Sequence, residues 1–195
     1  MPLGFHKATL FGVAGVSTGD VVLLHDTDYS DASTADITSG IDSTYGEYIF
    51  KFYNINPATD GAEFGFQANV ASASGFNETL TSTWFAAFHN ENDAETDLSY
   101  AASFDQAQGT AYQVFMSNLG SGADESGAGE LHLFNPSGTT YVKHFYGRNV
   151  SFNNSDRQYD TFVGGYFNLT GAIDEISFKM SSGNFDGTIK MWGVK

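Results

Sequence analysis

The chain has no cysteine and only three prolines in 195 residues. Without thiols it can form neither disulfides nor a thiolate-bound metal site, so its stability rests on noncovalent packing and it can fold in a reducing cytoplasm. Basic residues are scarce as well. Eight Lys and Arg stand against 23 Asp and Glu, a formal net charge of −15, and no Lys or Arg falls between Lys51 and Lys143. A phosphate backbone is held by clustered cations that release counterions, so nucleic acid is excluded as an expected partner. No apolar run approaches the ~20 residues of a membrane helix. The opening MPLGFHKATLFGVAG, with a single Lys7 and breaks at Gly12 and Gly15, does not read as a secretion signal. A Gly-x-Ser-x-Gly elbow, a P-loop and a dinucleotide fingerprint are all missing, and no Ser or Thr has an identifiable base. The chain is therefore expected not to be an enzyme.

What is present is aromatic and glycine-rich. Eighteen Phe, ten Tyr and a hydrophobic share of 41% are too apolar for a disordered segment, and 22 Gly fit many short strands joined by tight turns. The length suits one β-sandwich domain over residues 1–195. Within it, Met1 to Gly19 reads as an arm contacting a neighbouring subunit, with Ala8 to Val13 as a short strand. The acidic surface points to salty, marine surroundings, where screening shrinks to about 3 Å at 1 M salt.

Period-two alternation marks the strands. Ala172 to Lys195 reads as a β-hairpin: Ile176, Phe178 and Met180 form one apolar face, Ile189 and Met191 another, and Gly183 and Asp186-Gly187 lie at the link. Glu47 to Ile55 sets Tyr48, Phe50 and Phe52 against Ile49, Lys51 and Tyr53, and Glu63 to Val70 reads as its antiparallel partner, with Gln67 and Asn69 outward. Asp20 to His25 is a strand covered on both sides, followed by polar loop to Gly46. Ser99 to Phe104 and Tyr112 to Ser117 are further strands. Glu130 to Phe134 and Thr139 to Tyr146 form a hairpin closed by the type I turn Asn135-Pro136-Ser137-Gly138. Arg148 to Asp160 reads as polar loop, and Thr161 to Leu169 as a strand whose Gly164-Gly165 marks a bulge or close backbone approach. Leu80, Trp84 and Phe88, four apart behind Thr79, predict one short helix over Leu80 to Asn90. The sum is an all-β, antiparallel, jelly-roll-like sandwich with at most one short helix.

Candidate chemistry is sparse. Asp26, Asp28 and Asp31 offer the oxygen ligands calcium prefers, but lack the spacing, the glycine and the closing Glu of an EF-hand loop, so a solvated acidic loop is favoured. His132 and His144 lie on the two strands of a hairpin and can meet as a zinc pair or, as favoured here, in simple packing. Asp174 and Glu175, adjacent on a strand, point to opposite faces and cannot flank one glycosidic bond. Trp84 and Trp192 are the candidate platforms for stacking a glycan, against the alternative of core duty.

Three segments, EYIFKFYNINPATD at Glu47 to Asp60, Leu131 to Pro136, and SSGNFDGTIKMWGVK at Ser181 to Lys195, together resemble small virion structural proteins of marine tailed bacteriophages. The resemblance carries over no active site. It implies a capsid decoration or a tail or fibre component, made in the host cytoplasm, incorporated into the virion, contacting other virion proteins and forming homo-oligomers. The alternative is a glycan-binding module that attaches to a host cell surface.

Overall fold

The computed structural model describes residues 20–71 and 73–195, so the expected arm at Met1 to Gly19 lies outside the described residues. It is an all-β structure of thirteen antiparallel strands: β1 (Val21–Ala32), β2 (Ala35–Ile37), β3 (Glu47–Pro57), β4 (Ala62–Val70), β5 (Leu80–Asn90), β6 (Thr96–Tyr100), β7 (Ala107–Gly109), β8 (Gln113–Leu119), β9 (Gly127–Phe134), β10 (Lys143–Asn153), β11 (Arg157–Phe167), β12 (Ile173–Met180) and β13 (Phe185–Val194). The one helical element among the described residues is a 3-10 turn at Ala102–Phe104.

The strands form two layers. The larger runs β1-β13-β3-β9-β10-β11-β5, with β6 and β7 sharing the far edge of β5; the smaller runs β8-β4-β12-β2. A single pair, Leu119 with Asn153, joins β8 to β10, so the sheet turns a corner and nearly closes into a barrel. Phenylalanines fill the space between the layers. Phe52 of β3 lies 5.6 Å from Phe64, 5.1 Å from Phe178 and 5.2 Å from Phe115, while Phe66 meets Phe145 and Phe167 at 5.2 and 6.4 Å. Edge-to-face pairs of this kind add to the area they bury.

Two expected hairpins are arches instead. β12 pairs with β4 and β2, whereas β13 pairs with β1 and β3, so the 181–184 link crosses from one layer to the other. The same holds for β3 and β4, which share no ladder. Each pair of successive strands carries an apolar face, and these faces meet across the core instead of lying side by side. Gln67 and Asn69, expected outward, are buried. Loops cover that side of β4, and Gln67 Nε2 donates to the carbonyls of Glu78, Thr110 and Ala111 at 3.0 to 3.1 Å.

Leu80 to Asn90 is a strand, not a helix. A spacing of four is also a multiple of two, and Leu80, Ser82, Trp84 and Ala86 all turn inward while β5 pairs with β11 over its whole length. The expected loop over Arg148 to Asp160 is the outer half of the β10–β11 hairpin. Its inward residues Asn149, Ser151 and Asn153 are polar, which hid the alternation; Asn149 Nδ2 donates to the Phe115 carbonyl at 2.6 Å. β1 likewise continues through the acidic stretch to Ala32, and among the described residues it is an edge strand with Val21 and Leu23 exposed, not one covered on both faces.

β9 and β10 pair as the predicted hairpin, and Gly138 N donates to Asn135 O at 3.1 Å in the expected turn, but the returning strand starts at Lys143, so Thr139 to Val142 belongs to the connection. The strand expected over Ser99 to Phe104 ends at Tyr100, and Ala102–Phe104 is the 3-10 turn. At Gly165 the backbone approach is close, because a Cβ there would run into the Thr81 carbonyl of β5, and the register beside it is unbroken.

The Phe52→Ala variant should lose about 3–5 kcal/mol of folding stability in urea denaturation, since it empties the centre of the interlayer packing. Tyr141→Ala, on a residue that is 75% exposed, should stay within about 0.5 kcal/mol of the parent.

Candidate functional site

Alternation sends half of every strand in the larger layer to its outer face, and the register sets those residues side by side. One row across five strands is apolar and aromatic: Leu23 of β1, Trp192 of β13, Ile49 of β3, His132 of β9 and Tyr146 of β10. Leu23 and Tyr146, at its two ends, are 47% and 50% exposed. His132 is clamped within it, stacked 4.6 Å from Tyr146, with Nδ1 2.6 Å from Glu47 Oε1.

The next row is charged. Asp26, Lys190, Lys51, Glu130 and Arg148 follow one another across the same five strands, and Phe162, Phe85 and Tyr100 extend the row over β11, β5 and β6. Three of the chain's eight Lys and Arg therefore stand together on a strongly acidic protein. Lys190 and Lys51 face each other directly, and a carboxylate on either side offsets their repulsion: Asp26 lies 2.9 Å from Lys190 and Glu130 3.5 Å from Lys51. Arg148 bonds Asp160 through both Nε and Nη2, at 2.9 and 2.7 Å, and lies 5.1 Å over the Phe162 ring. The hydrogen bonds to Asp26 and Asp160 raise the pKa of Lys190 and Arg148 respectively, so both remain cationic.

Beside the charged row lies a depression of about 340 Å3 bordered by Lys51, Tyr53, Ala128, Glu130, Arg148 and Val150. Two local features create it. Ala128 on β9 puts only a methyl group between the longer side chains of β3 and β10. Opposite it, β3 slips register between Phe52 and Ile55, with Asn54 at φ +52°, a bulge that leaves both Tyr53 and Asn54 exposed. A second hollow of about 270 Å3, sharing Ala128 and Val150, continues toward Phe152 and Gln158.

The residues singled out from sequence fall elsewhere. Trp84 is 2% exposed, packed 4.9 Å from Phe104, and has no face to offer a glycan. Trp192 is half-buried in the apolar row. Asp26, Asp28 and Asp31 are strung along β1, where Asp26 pairs with Lys190, Asp28 accepts from Thr188 Oγ1 at 2.6 Å, and Asp31 accepts from Asn184 Nδ2 at 2.9 Å. At roughly 3.3 Å per residue the first and last are too far apart to share an ion, and no group of three metal-ligating side chains occurs among the described residues. His132 and His144 do not meet: the first stacks on Tyr146 and the second packs against Tyr166. Asp174 Oδ1 is buried without a hydrogen-bond partner among the described residues, and Glu175 accepts from Asn69 Nδ2 at 2.9 Å. Tyr53 and Lys51 were legible as one face of their strand. Arg148 and Val150 were missed because the segment holding them read as loop.

No family model, curated protein or solved structure matches the chain.

On β1, burial lowers the pKa of His25 from its ordinary 6.5, partly opposed by Asp26, and its Nε2 lies 3.2 Å from the Tyr29 hydroxyl. With the folded value below the unfolded one, the unfolded chain takes up this proton first. Its effect on stability is absent above pH 6.5 and becomes a loss as the pH falls from there through the folded value. Thermal unfolding of His25→Gln should show a smaller drop in Tm than the parent over that window.

Proposed function

We propose that the chain is a non-enzymatic structural protein on the exterior of a tailed-phage virion, as a capsid decoration or a tail or fibre component. The observation that supports it is the convergence of the three segments carrying the resemblance. Far apart in sequence, Ser181 to Lys195, Glu47 to Asp60 and Leu131 to Pro136 supply β13, β3 and β9, which are consecutive strands of the larger layer. The likeness thus describes one contiguous block of surface. On that block lie Trp192, Ile49 and His132, the centre of the apolar row, which in this reading packs against neighbouring subunits of the particle, other copies of the chain among them. Aromatic rows with a charged rim suit such contacts, where a few buried rings carry most of the binding.

A second reading, a glycan-binding module that attaches to a host cell surface, is favoured by the depression beside Tyr53.

Mass spectrometry of particles purified from cultures expressing the chain should detect it at a fixed ratio to the major virion proteins. Its absence from particles would end the first reading. Tyr146→Glu, at the exposed end of the apolar row, should lower incorporation at least ~10-fold, the equivalent of about 1.4 kcal/mol of contact, while leaving Tm within a few degrees of the parent.

A further inference from the structure

The geometry points to the hollow between β3, β9 and β10 as a binding site for a neutral saccharide, held by Tyr53, Lys51, Glu130 and Arg148. This rests on the glycan-binding reading and narrows it to one place and one class of sugar.

The shape comes first. A hollow of about 340 Å3 falls within the usual range for small-ligand sites, and its continuation over Val150 leaves room for a further residue of an oligosaccharide. Its walls combine the two kinds of surface a sugar needs. Tyr53, which is 41% exposed, and Val150 present apolar surface for the C–H face of a pyranose ring. Lys51 and Arg148 donate hydrogen bonds, and the Glu130 carboxylate between them accepts. Vicinal hydroxyls both donate and accept, so a diol can bridge Glu130 to either cation. Arg148 has capacity to spare: a guanidinium carries five N–H donors and two are taken by Asp160, which leaves three.

Charge selects the class. Within the site Lys51 is offset by Glu130 and Arg148 by Asp160, so no net positive charge awaits an anion. Around it the chain carries a net charge of −15, a field that disfavours the approach of sialylated, sulfated or uronic sugars. The backbone supports the same placement. The Asn54 bulge is accommodated on its far side by Gly187 of β13, at φ +147°, where a Cβ would meet the Ile55 side chain. Bulges recur where a strand must re-aim a side chain, and here the side chain is Tyr53.

The test is titration of the 15N-labelled full chain, followed by NMR, with millimolar D-glucose, D-galactose, D-mannose, N-acetyl-D-glucosamine, maltose and lactose, with N-acetylneuraminic acid as the anionic arm. At least one neutral sugar should shift the amides of Tyr53, Ala128, Gly129 and Val150. Tyr53→Ala and Glu130→Gln should each weaken that binding about tenfold or more, Ala128→Trp should abolish it by filling the hollow, and Tyr141→Ala should leave it unchanged, each variant being checked for parental Tm. Binding of neutral sugars that survives both Tyr53→Ala and Ala128→Trp would overturn the site, and so would binding of N-acetylneuraminic acid alone, although the glycan reading would stand. If none of these sugars binds, and a glycan array is also blank, both fall together.

Discussion

Contact between phenylalanine rings of the two layers is the constraint on which everything else in this protein depends. Phe52 sits where β3 crosses over β4, β12 and β8, within ring contact of Phe64, Phe178 and Phe115. Facing sheets pack about 10 Å apart, a gap that interdigitating phenylalanines fill. With cysteine absent, no covalent link assists. The arches at 58–61 and 181–184 follow from the same demand, because each delivers a second apolar strand to the opposite side of the gap.

Where the core thins, polar side chains close it. Gln113 takes a hydrogen bond from Ser82 Oγ at 2.5 Å and donates to the Phe104 carbonyl at 3.0 Å, tying the smaller layer to β5. Lys143, almost wholly buried, donates Nζ to the Tyr141 carbonyl at 2.7 Å, and burial lowers its pKa. Such groups are costly to bury alone and tolerable once bonded. Gln113 opens β8 and Lys143 opens β10, so both close the core at the end of their strands away from the Leu119–Asn153 corner.

The outer face of the larger layer is freed by this arrangement. Since packing is satisfied inward, the outward side chains of β1, β13, β3, β9 and β10 can be arranged by charge and ring stacking alone. Like charges at Lys190 and Lys51 would repel on a bare sheet; the flanking carboxylates Asp26 and Glu130 pair one with each lysine and offset that repulsion. Exposed pairs of this sort contribute little to stability. Their consequence is chemical, an ordered series of donors and acceptors next to an aromatic strip.

The alternation of Tyr48, Phe50 and Phe52, the glycine-rich turns and the shortage of cations were enough to establish an antiparallel, all-β, acidic protein, because period and composition are local properties of the chain. The opposition of Lys51 and Tyr53 to the core was legible for the same reason. Partner choice was not. Whether β12 turns back on β13 or crosses to the other layer depends on which apolar faces meet, and a four-residue link permits both. Polar inward residues such as Asn149 and Ser151 concealed half of β10, and with it Arg148; for Asn149 the burial is compensated by a hydrogen bond from Nδ2 to the distant Phe115 carbonyl. Trp84 went inward with the buried face of β5, and the hollow beside Tyr53 is carried by no local pattern: only the register of β3 against β9, with its bulge at Asn54, sets the Tyr53 ring next to the short Ala128 side chain.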